Sequence, residues 1–247
     1  MKLRGRRIFT PIMHLFYQPA IQPTDPLGTL SEEDTRHAVK TLRLGVGDAI
    51  SVTDGRGNRY DSVITQTDVK QCAFRVERLD ITPPRPFGVR IGVAPTKNID
   101  RIEWFVEKAV ELGIERISFF FGQHSERRVL KLDRLEKIAV AAMKQSLQSW
   151  LPRFDEAVSF AQLLSTIGEE QRFIAHLPDD GNAPHLFHQA RSGTSYIVLI
   201  GPEGDFSARE VQQAVAAGFQ MVTLGPNRLR TETAALSACQ VLNLLNV

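Results

Sequence analysis

Cysteine is scarce in this chain: Cys72 and Cys239 stand far apart in 247 residues, with no CxxC pair and no clustered metal-ligating histidines. That excludes a disulfide framework and a zinc ribbon, and it fits a reducing, cytoplasmic compartment. Long apolar runs are missing too, none approaching the roughly 18 residues of a membrane span, so no crossing of a bilayer is expected. Charge of one sign is absent in bulk, with 30 Lys and Arg against 28 Asp and Glu. No internal repeat or low-complexity tract is present, and with 43% hydrophobic residues the composition excludes disorder, collagen and coiled coil. What is there is a globular chain long enough to bury its own core without staples.

Residues 1–12 carry Lys2, Arg4, Arg6 and Arg7 but lack the apolar stretch of an export signal; this N-terminal extension reads as the product of an upstream start codon or as a loose basic tail, and no function is assigned to it. Residues 13–80 are written in short alternating runs, Ala49 to Thr53, Tyr60 to Ile64 and Cys72 to Val76, which predict strands joined by tight turns. Asp54-Gly-Arg-Gly-Asn58 supplies residues that tolerate positive φ and reads as a hairpin loop. Ile81-Thr-Pro-Pro-Arg-Pro-Phe-Gly88 holds three prolines in eight residues, which neither a helix interior nor a central strand accepts. This is the expected linker, 81–88.

From 89 to 247 strands alternate with helices. Val89 to Val93, Ile117 to Phe121, Phe173 to His176, Tyr196 to Ile200 and Met221 to Leu224 read as buried strands. Helices are expected from Asp100 (as cap, with Glu103 at capping-box spacing) to Gly113, from Asp133 to Gln148, after Ser207 with Glu210, and from Glu232 to Leu245. Such alternation implies an α/β fold with a mainly parallel sheet flanked by helices. Between Arg116 and Lys144 seven basic residues face three acidic ones, either a solvated helix face or the footprint of a phosphate-bearing partner.

In open α/β sheets ligands sit beyond the carboxyl ends of strands, and two loops there stand out. Leu199-Ile-Gly-Pro-Glu-Gly204 and Leu224-Gly-Pro-Asn-Arg-Leu-Arg-Thr-Glu-Thr-Ala234 each begin with glycine after a strand and lead to a helix N-terminus. Neither is a GxGxxG or P-loop motif, so dinucleotide and nucleoside-triphosphate chemistry are unsupported.

Together the two loops resemble the SPOUT-class (trefoil-knot) methyltransferases, and within them the bacterial small-subunit ribosomal RNA uridine-N3 methyltransferase family. The resemblance spans nearly the whole chain. His37-Ala-Val-Lys-Thr-Leu-Arg43, Gly47-Asp48 and Asp54-Gly55 look like that family's small RNA-binding barrel, similar to a PUA domain. Lys97, Glu107 to Gly113, Ser125-Glu-Arg127 and Lys144-Gln145 occupy its remaining signature positions. One departure lies in Met143-Lys-Gln-Ser-Leu-Gln-Ser149, where Lys144 replaces an acid and Gln148 stands where arginine is common.

The resemblance implies a knotted sheet over 89–247 preceded by a PUA-like β-barrel, with S-adenosylmethionine as methyl donor. It implies methylation of N3 of a uridine in small-subunit (16S) ribosomal RNA, on free RNA or the assembled subunit, by a homodimer. The alternatives are a methyltransferase for another RNA site or a non-catalytic ribosome-binding factor. The cofactor pocket would comprise Leu199, Ile200, Gly201, Pro202, Glu203 and Gly204, with Leu224, Gly225, Leu229, Arg230, Thr231, Thr233 and Ala234. For the chemistry, Glu232 or Glu203 could take the imide proton, or no protein base acts and Arg230 stabilises the enolate-like oxygens. Arg43, Lys97, Lys108, Arg127, Arg128 and Gln145 are the RNA-contact candidates. His37 reads as a packing residue, and His185-x-x-His188 lacks acidic partners, so no metal is assigned.

Overall fold

The proline-rich stretch after Ile81 coincides with a change of partners in the chain. The computed structural model describes residues 14–68, 70–176, 178 and 181–247; the extension expected over 1–12 lies outside them. Two units are distinguished: the residues up to Pro84 together with Met143–Trp150, and Arg85–Ala142 together with Leu151–Val247.

The first unit contains β1 (Leu15–Tyr17), β2 (Leu27–Thr29), α1 (Glu32–Arg36), a π-helical turn (His37–Thr41), β3 (Ala49–Thr53), β4 (Asn58–Thr67) and β5 (Cys72–Ile81). They form a five-stranded mixed half-barrel in the order β1-β3-β4-β5-β2. Asp54 builds the expected β3–β4 hairpin: its Oδ1 accepts the Arg56 N–H at 2.8 Å and its Oδ2 the Asn58 amide at 2.7 Å. Phe16, Ile50, Val52, Tyr60, Ile64 and Phe74 fill the core. Burial, and after it the Asp54 charge, push the Tyr60 hydroxyl up to about 12.

The segment 143–150 packs into this same unit. Ser149 O accepts the Gly57 N–H at 2.8 Å, and the Trp150 indole donates to Thr82 O at 3.1 Å. Lys144, the departure noted in the sequence, places its Nζ 2.6 Å from Oδ1 of the buried Asp34, whose other oxygen accepts the Tyr17 N–H. Here Lys144 is an internal counter-charge.

In the second unit the chain order is β6 (Gly88–Val93), α2 (Ile99–Glu111), β7 (Arg116–Phe121), α3 (Leu132–Gln145, whose last residues belong to the first unit), β8 (Arg153–Ser159) and α4 (Phe160–Ser165). Then follow β9 (Gln171–Ala175), α5 (Leu186–Gln189), β10 (Ser195–Ile200), α6 (Ala208–Ala216), β11 (Gln220–Val222) and α7 (Thr231–Leu244). The six strands, in the order β11-β9-β10-β6-β7-β8, are all parallel. Val89, Ile91 and Val93 of β6 and Tyr196 to Leu199 of β10 are fully buried, each aliphatic side chain contributing about 1.5–3 kcal/mol.

Three local expectations change. Asn98, not Asp100, caps α2, accepting the Asp100 N–H, because Asn98 has the extended backbone of an N-cap while Asp100 already lies in the first turn of the helix. Glu103 therefore closes no capping box and pairs with Arg134 instead. α3 stops at Gln145, where Leu147 turns left-handed at φ 57. The box of Ser207 and Glu210 on α6 is present in full. Cys72 and Cys239 lie buried, one in each unit, and burial pushes both thiols up, Cys239 to about 12.

Arg90 of β6 is the buried charge of the sheet. It donates to Ser118 Oγ of β7 at 2.7 Å, to Asp155 of β8 at 3.2 Å and to Glu169, just before β9, at 3.0 Å. Burial alone would raise the Asp155 carboxyl, but the bonds from Arg116 and Ser118 and the charges of Arg116 and Arg90 outweigh it and hold it below the usual range. Removing one partner of such a buried pair costs about 3–5 kcal/mol, so Arg90→Met should lose that much in urea denaturation at neutral pH. The Asp155 contribution should be complete above the ordinary carboxylate range and vanish as pH falls through its depressed folded value. Asp155→Asn should therefore flatten the acid limb of stability against pH.

Candidate functional site

Because all six strands are parallel, their carboxyl ends share one edge, and the loops there make a cleft of about 610 Å³. Ala175 and His176 line it from the end of β9, Ile200 to Glu203 and Asp205 from the loop after β10, and Val222 to Thr231 from the end of β11 and its loop, with Ala234 of α7. A volume between about 300 and 1,000 Å³ with mixed apolar and polar walls is that of a small-molecule site.

Of the residues expected to hold a cofactor, Ile200, Gly201, Pro202, Glu203, Leu224, Gly225, Leu229, Arg230, Thr231 and Ala234 line this cleft. Leu199, Gly204 and Thr233 do not: Leu199 is wholly buried in the core with Phe206, and Gly204 backs onto His124. Among the three acid–base candidates, Arg230 and Glu203 are in the lining, whereas Glu232 points elsewhere. Its Oε1 lies 3.8 Å from Nε of Arg101 on α2, and its Oε2 is buried without a hydrogen-bond partner among the described residues.

The two loop glycines have different reasons. Gly225 has φ +132 and open space where a Cβ would stand, so only a residue without a side chain adopts this backbone beside the cleft. Gly201 instead sits against Phe206, whose ring would lie 3.1 Å from an added Cβ. It is a packing glycine whose backbone happens to line the cleft, and Gly201→Val would disturb the core directly.

Bonds from neighbouring loops set the shape of the β10 loop. Glu203 Oε1 accepts the Lys97 N–H at 3.0 Å. His124 Nδ1 lies 3.0 Å from the carbonyl oxygens of both Gly204 and Asp205. Glu210, besides capping α6, accepts the Gln123 N–H at 2.8 Å. On the far side Thr231 Oγ1 donates to Gly201 O at 3.1 Å, tying the start of α7 to the β10 loop. Arg230, the N-cap of α7, offers no side-chain acceptor, so the first turn of that helix carries uncapped N–H groups.

The phosphate-contact candidates fall into two kinds. Arg127 is committed to the fold, donating to Thr96 O at 3.1 Å and to Lys97 O at 2.7 Å. Lys97 pairs with Glu126 at 2.8 Å, and Lys108 with Glu107 and Glu111 at 2.7 and 2.9 Å. Arg128 is exposed, 5.9 Å from the Phe121 ring. Arg43, at φ 57 just after the π-helical turn, and Gln145 at the end of α3 are exposed. His37 packs edge-on to Phe16, and His185 caps α5.

His176, Asp205 and Arg228 were missed from sequence. The rule that parallel strands end at a common edge would have found His176, which follows directly on β9, and Asp205 is the residue after Gly-Pro-Glu-Gly.

Comparison with known proteins adds the following. Residues 83–243 match the RNA methyltransferase domain family, and residues 30–77 the RNA methyltransferase PUA domain. The chain is 27% identical over 235 residues to the ribosomal RNA small subunit methyltransferase E of Bacillus subtilis (strain 168), covering 88% of this chain and 90% of that one. A crystal structure of a probable rRNA-methyltransferase from Porphyromonas gingivalis superposes with a TM-score of 0.87 at 39% identity, covering 94% of this chain and 98% of that chain. The ribosomal RNA small subunit methyltransferase E of Neisseria gonorrhoeae, solved bound to S-adenosyl methionine, superposes with a TM-score of 0.83 at 27% identity over 95% and 98% of the two chains.

A test of the loop lacing follows from Arg127. Hydrogen bonds from a charged donor contribute about 1.5–3 kcal/mol, so Arg127→Met should speed amide exchange at Lys97 and at Gly204 to Phe206 by tenfold or more while leaving exchange in the core of β10 unchanged. Unaltered protection at these amides would mean the guanidinium holds nothing.

Proposed function

Since the chain belongs to the RNA methyltransferase domain family, we propose that it transfers a methyl group from S-adenosylmethionine to N3 of a uridine in small-subunit (16S) ribosomal RNA. The observation that carries this reading is the cleft itself: both motif loops, after β10 and β11, line one cavity that also holds Arg228 and Arg230, two arginines without ion-pair partners among the described residues.

The residues present fit the methyl donor. Ile200, Val222, Leu224, Leu229 and Ala234 provide an apolar wall for an adenine ring, the Gly225 backbone leaves room beside it, and the uncapped first turn of α7 suits a carboxylate. When bound, the sulfonium supplies an electrophilic methyl group. The protein's part is to orient the uracil, exclude water and manage the proton on N3. As that proton leaves, negative charge spreads onto the two flanking carbonyl oxygens, and the planar guanidinium of Arg230 can stabilise it through paired bonds.

The first unit supplies the RNA grip in this reading, supported by its match to the PUA domain and by the exposed Arg43. A cytoplasmic homodimer completes the proposal, supported by Trp104 of α2 and Leu244 of α7, both exposed apolar side chains.

Reverse-transcription mapping of 16S RNA from cells with and without the protein tests the assignment, because a methyl on N3 blocks pairing and stops the polymerase at one uridine. Arg230→Lys keeps the charge and loses the fork. It should slow single-turnover methylation about a hundredfold to a thousandfold with S-adenosylmethionine affinity nearly unchanged by calorimetry. Arg43→Ala should weaken RNA binding and reduce its salt slope by about one, leaving cofactor affinity as it was.

A further inference from the structure

The cleft contains one ionisable pair that the reading above leaves without work. His176, directly after β9, places Nδ1 3.2 Å from Oδ2 of Asp205 in the β10 loop, and both residues line the cavity. Asp205 is held there against its backbone preference. It has φ +60, a left-handed conformation that L-residues other than glycine adopt only under strain. Four contacts impose it. Its N–H donates to Pro202 O at 2.9 Å, its carbonyl faces His124 Nδ1, its Oδ1 accepts the Phe206 N–H at 2.7 Å, and its Oδ2 faces His176. Glycine would occupy this position without strain, so the carboxylate is the feature that the backbone conformation serves.

A carboxylate only accepts, so the hydrogen of the His176–Asp205 bond resides on Nδ1. Nε2 of the neutral ring then keeps a lone pair, and it has no partner among the described residues. The other candidate bases are engaged or absent: Glu203 Oε1 is bound by the Lys97 N–H, and Glu232 lies outside the cleft facing Arg101. Among the described residues, the charged groups lining the cleft with the imidazole are Glu203 and Asp205 after β10 and Arg228 and Arg230 after β11. The Watson–Crick edge of uracil reads acceptor, donor, acceptor. An imidazole acceptor and two arginine donors lining one cleft supply the complementary set of groups.

We propose that His176, oriented by Asp205, is the acceptor of the N3 proton. This rests on the uridine-N3 reading and deepens it. The N3–H bond breaks and its proton passes to Nε2, while the nitrogen electron pair forms the bond to the methyl carbon. The carbon–sulfur bond breaks with its pair left on sulfur, and the resulting imidazolium, paired with Asp205, returns the proton to solvent.

Three variants test it. His176→Gln removes the base, and single-turnover methylation should fall about 10²- to 10⁴-fold with S-adenosylmethionine affinity within threefold of wild type. Its rate should also keep rising with pH where the wild-type rate has levelled off. Asp205→Asn keeps size but presents a donor to Nδ1. In the ligand-free protein, nitrogen-15 NMR of the imidazole should show the proton moved from Nδ1 to Nε2, and the rate should fall with it. Asp205→Gly suits the left-handed backbone, so it should fold at least as stably as wild type and still lose rate.

An active wild type with an equally active His176→Gln overturns the assignment. So does a His176→Gln that loses cofactor affinity in proportion to rate, since the ring would then be a cofactor ligand, and so does an Asp205→Asn imidazole that keeps its proton on Nδ1. Wild-type protein that binds S-adenosylmethionine and RNA yet leaves every uridine unmodified removes the transfer reading first, and this proposal with it.

Discussion

A buried guanidinium cannot be left unpaired, and in the second unit that constraint acts on four neighbouring segments at once. Arg90 reaches Ser118, Asp155 and Glu169 from the middle of β6, so β6, β7, β8 and the approach to β9 have to arrive in one relative register for its charge to be met. Slipping any of these strands by a residue turns its side chains to the other face and strands the cation. The functional edge of the sheet depends on this, because loops after parallel strands converge only when the strands end level. Net stabilisation by such a cluster is small, because desolvating the charges offsets most of their attraction, whereas leaving any one of them unmet is costly.

At that edge the loops are fixed by hydrogen bonds in place of a packed hydrophobic layer. Glu203, Glu210, His124 and Arg127 each link segments that follow different strands. Polar lacing suits a place that must stay open to a ligand, since apolar side chains there would close the cavity on themselves. It also allows a strained residue such as Asp205 to persist, because several independent contacts over-determine its conformation.

Much of this was legible in the sequence, for reasons that also explain the rest. β10 announces itself by the apolar run Tyr196 to Ile200, β7 by its aromatic residues and β6 by Val89, Ile91 and Val93 at alternate positions, and the Ser207–Glu210 box is a local pattern with a local result. β8, Arg153–Ser159, is only partly buried at the edge of the sheet and has neither alternation nor an apolar run, so nothing local marks it. Lys144 stood out in the sequence only as a departure from the family pattern, because its partner Asp34 is 110 residues away. Glu232 follows the cleft-lining Arg230 and Thr231 closely, but successive residues on a helix point about 100° apart, and its side chain went to Arg101 instead. The glycine-led loops were readable because backbone geometry is written in glycine; the His176–Asp205 pair was not, since it joins two strands' ends that are neighbours only in the folded sheet.

The two thiols have a use that their scarcity makes possible. Cys72 belongs to the half-barrel and Cys239 to α7 of the parallel-sheet unit, both without solvent exposure and both made less acidic by burial. A disulfide reagent therefore has almost no thiolate to attack until the surrounding segment opens. Peptide mapping of which cysteine is modified, and how fast, would give the opening equilibrium of each unit separately in the unaltered chain, with no engineered probe and no need to cut one unit from the other.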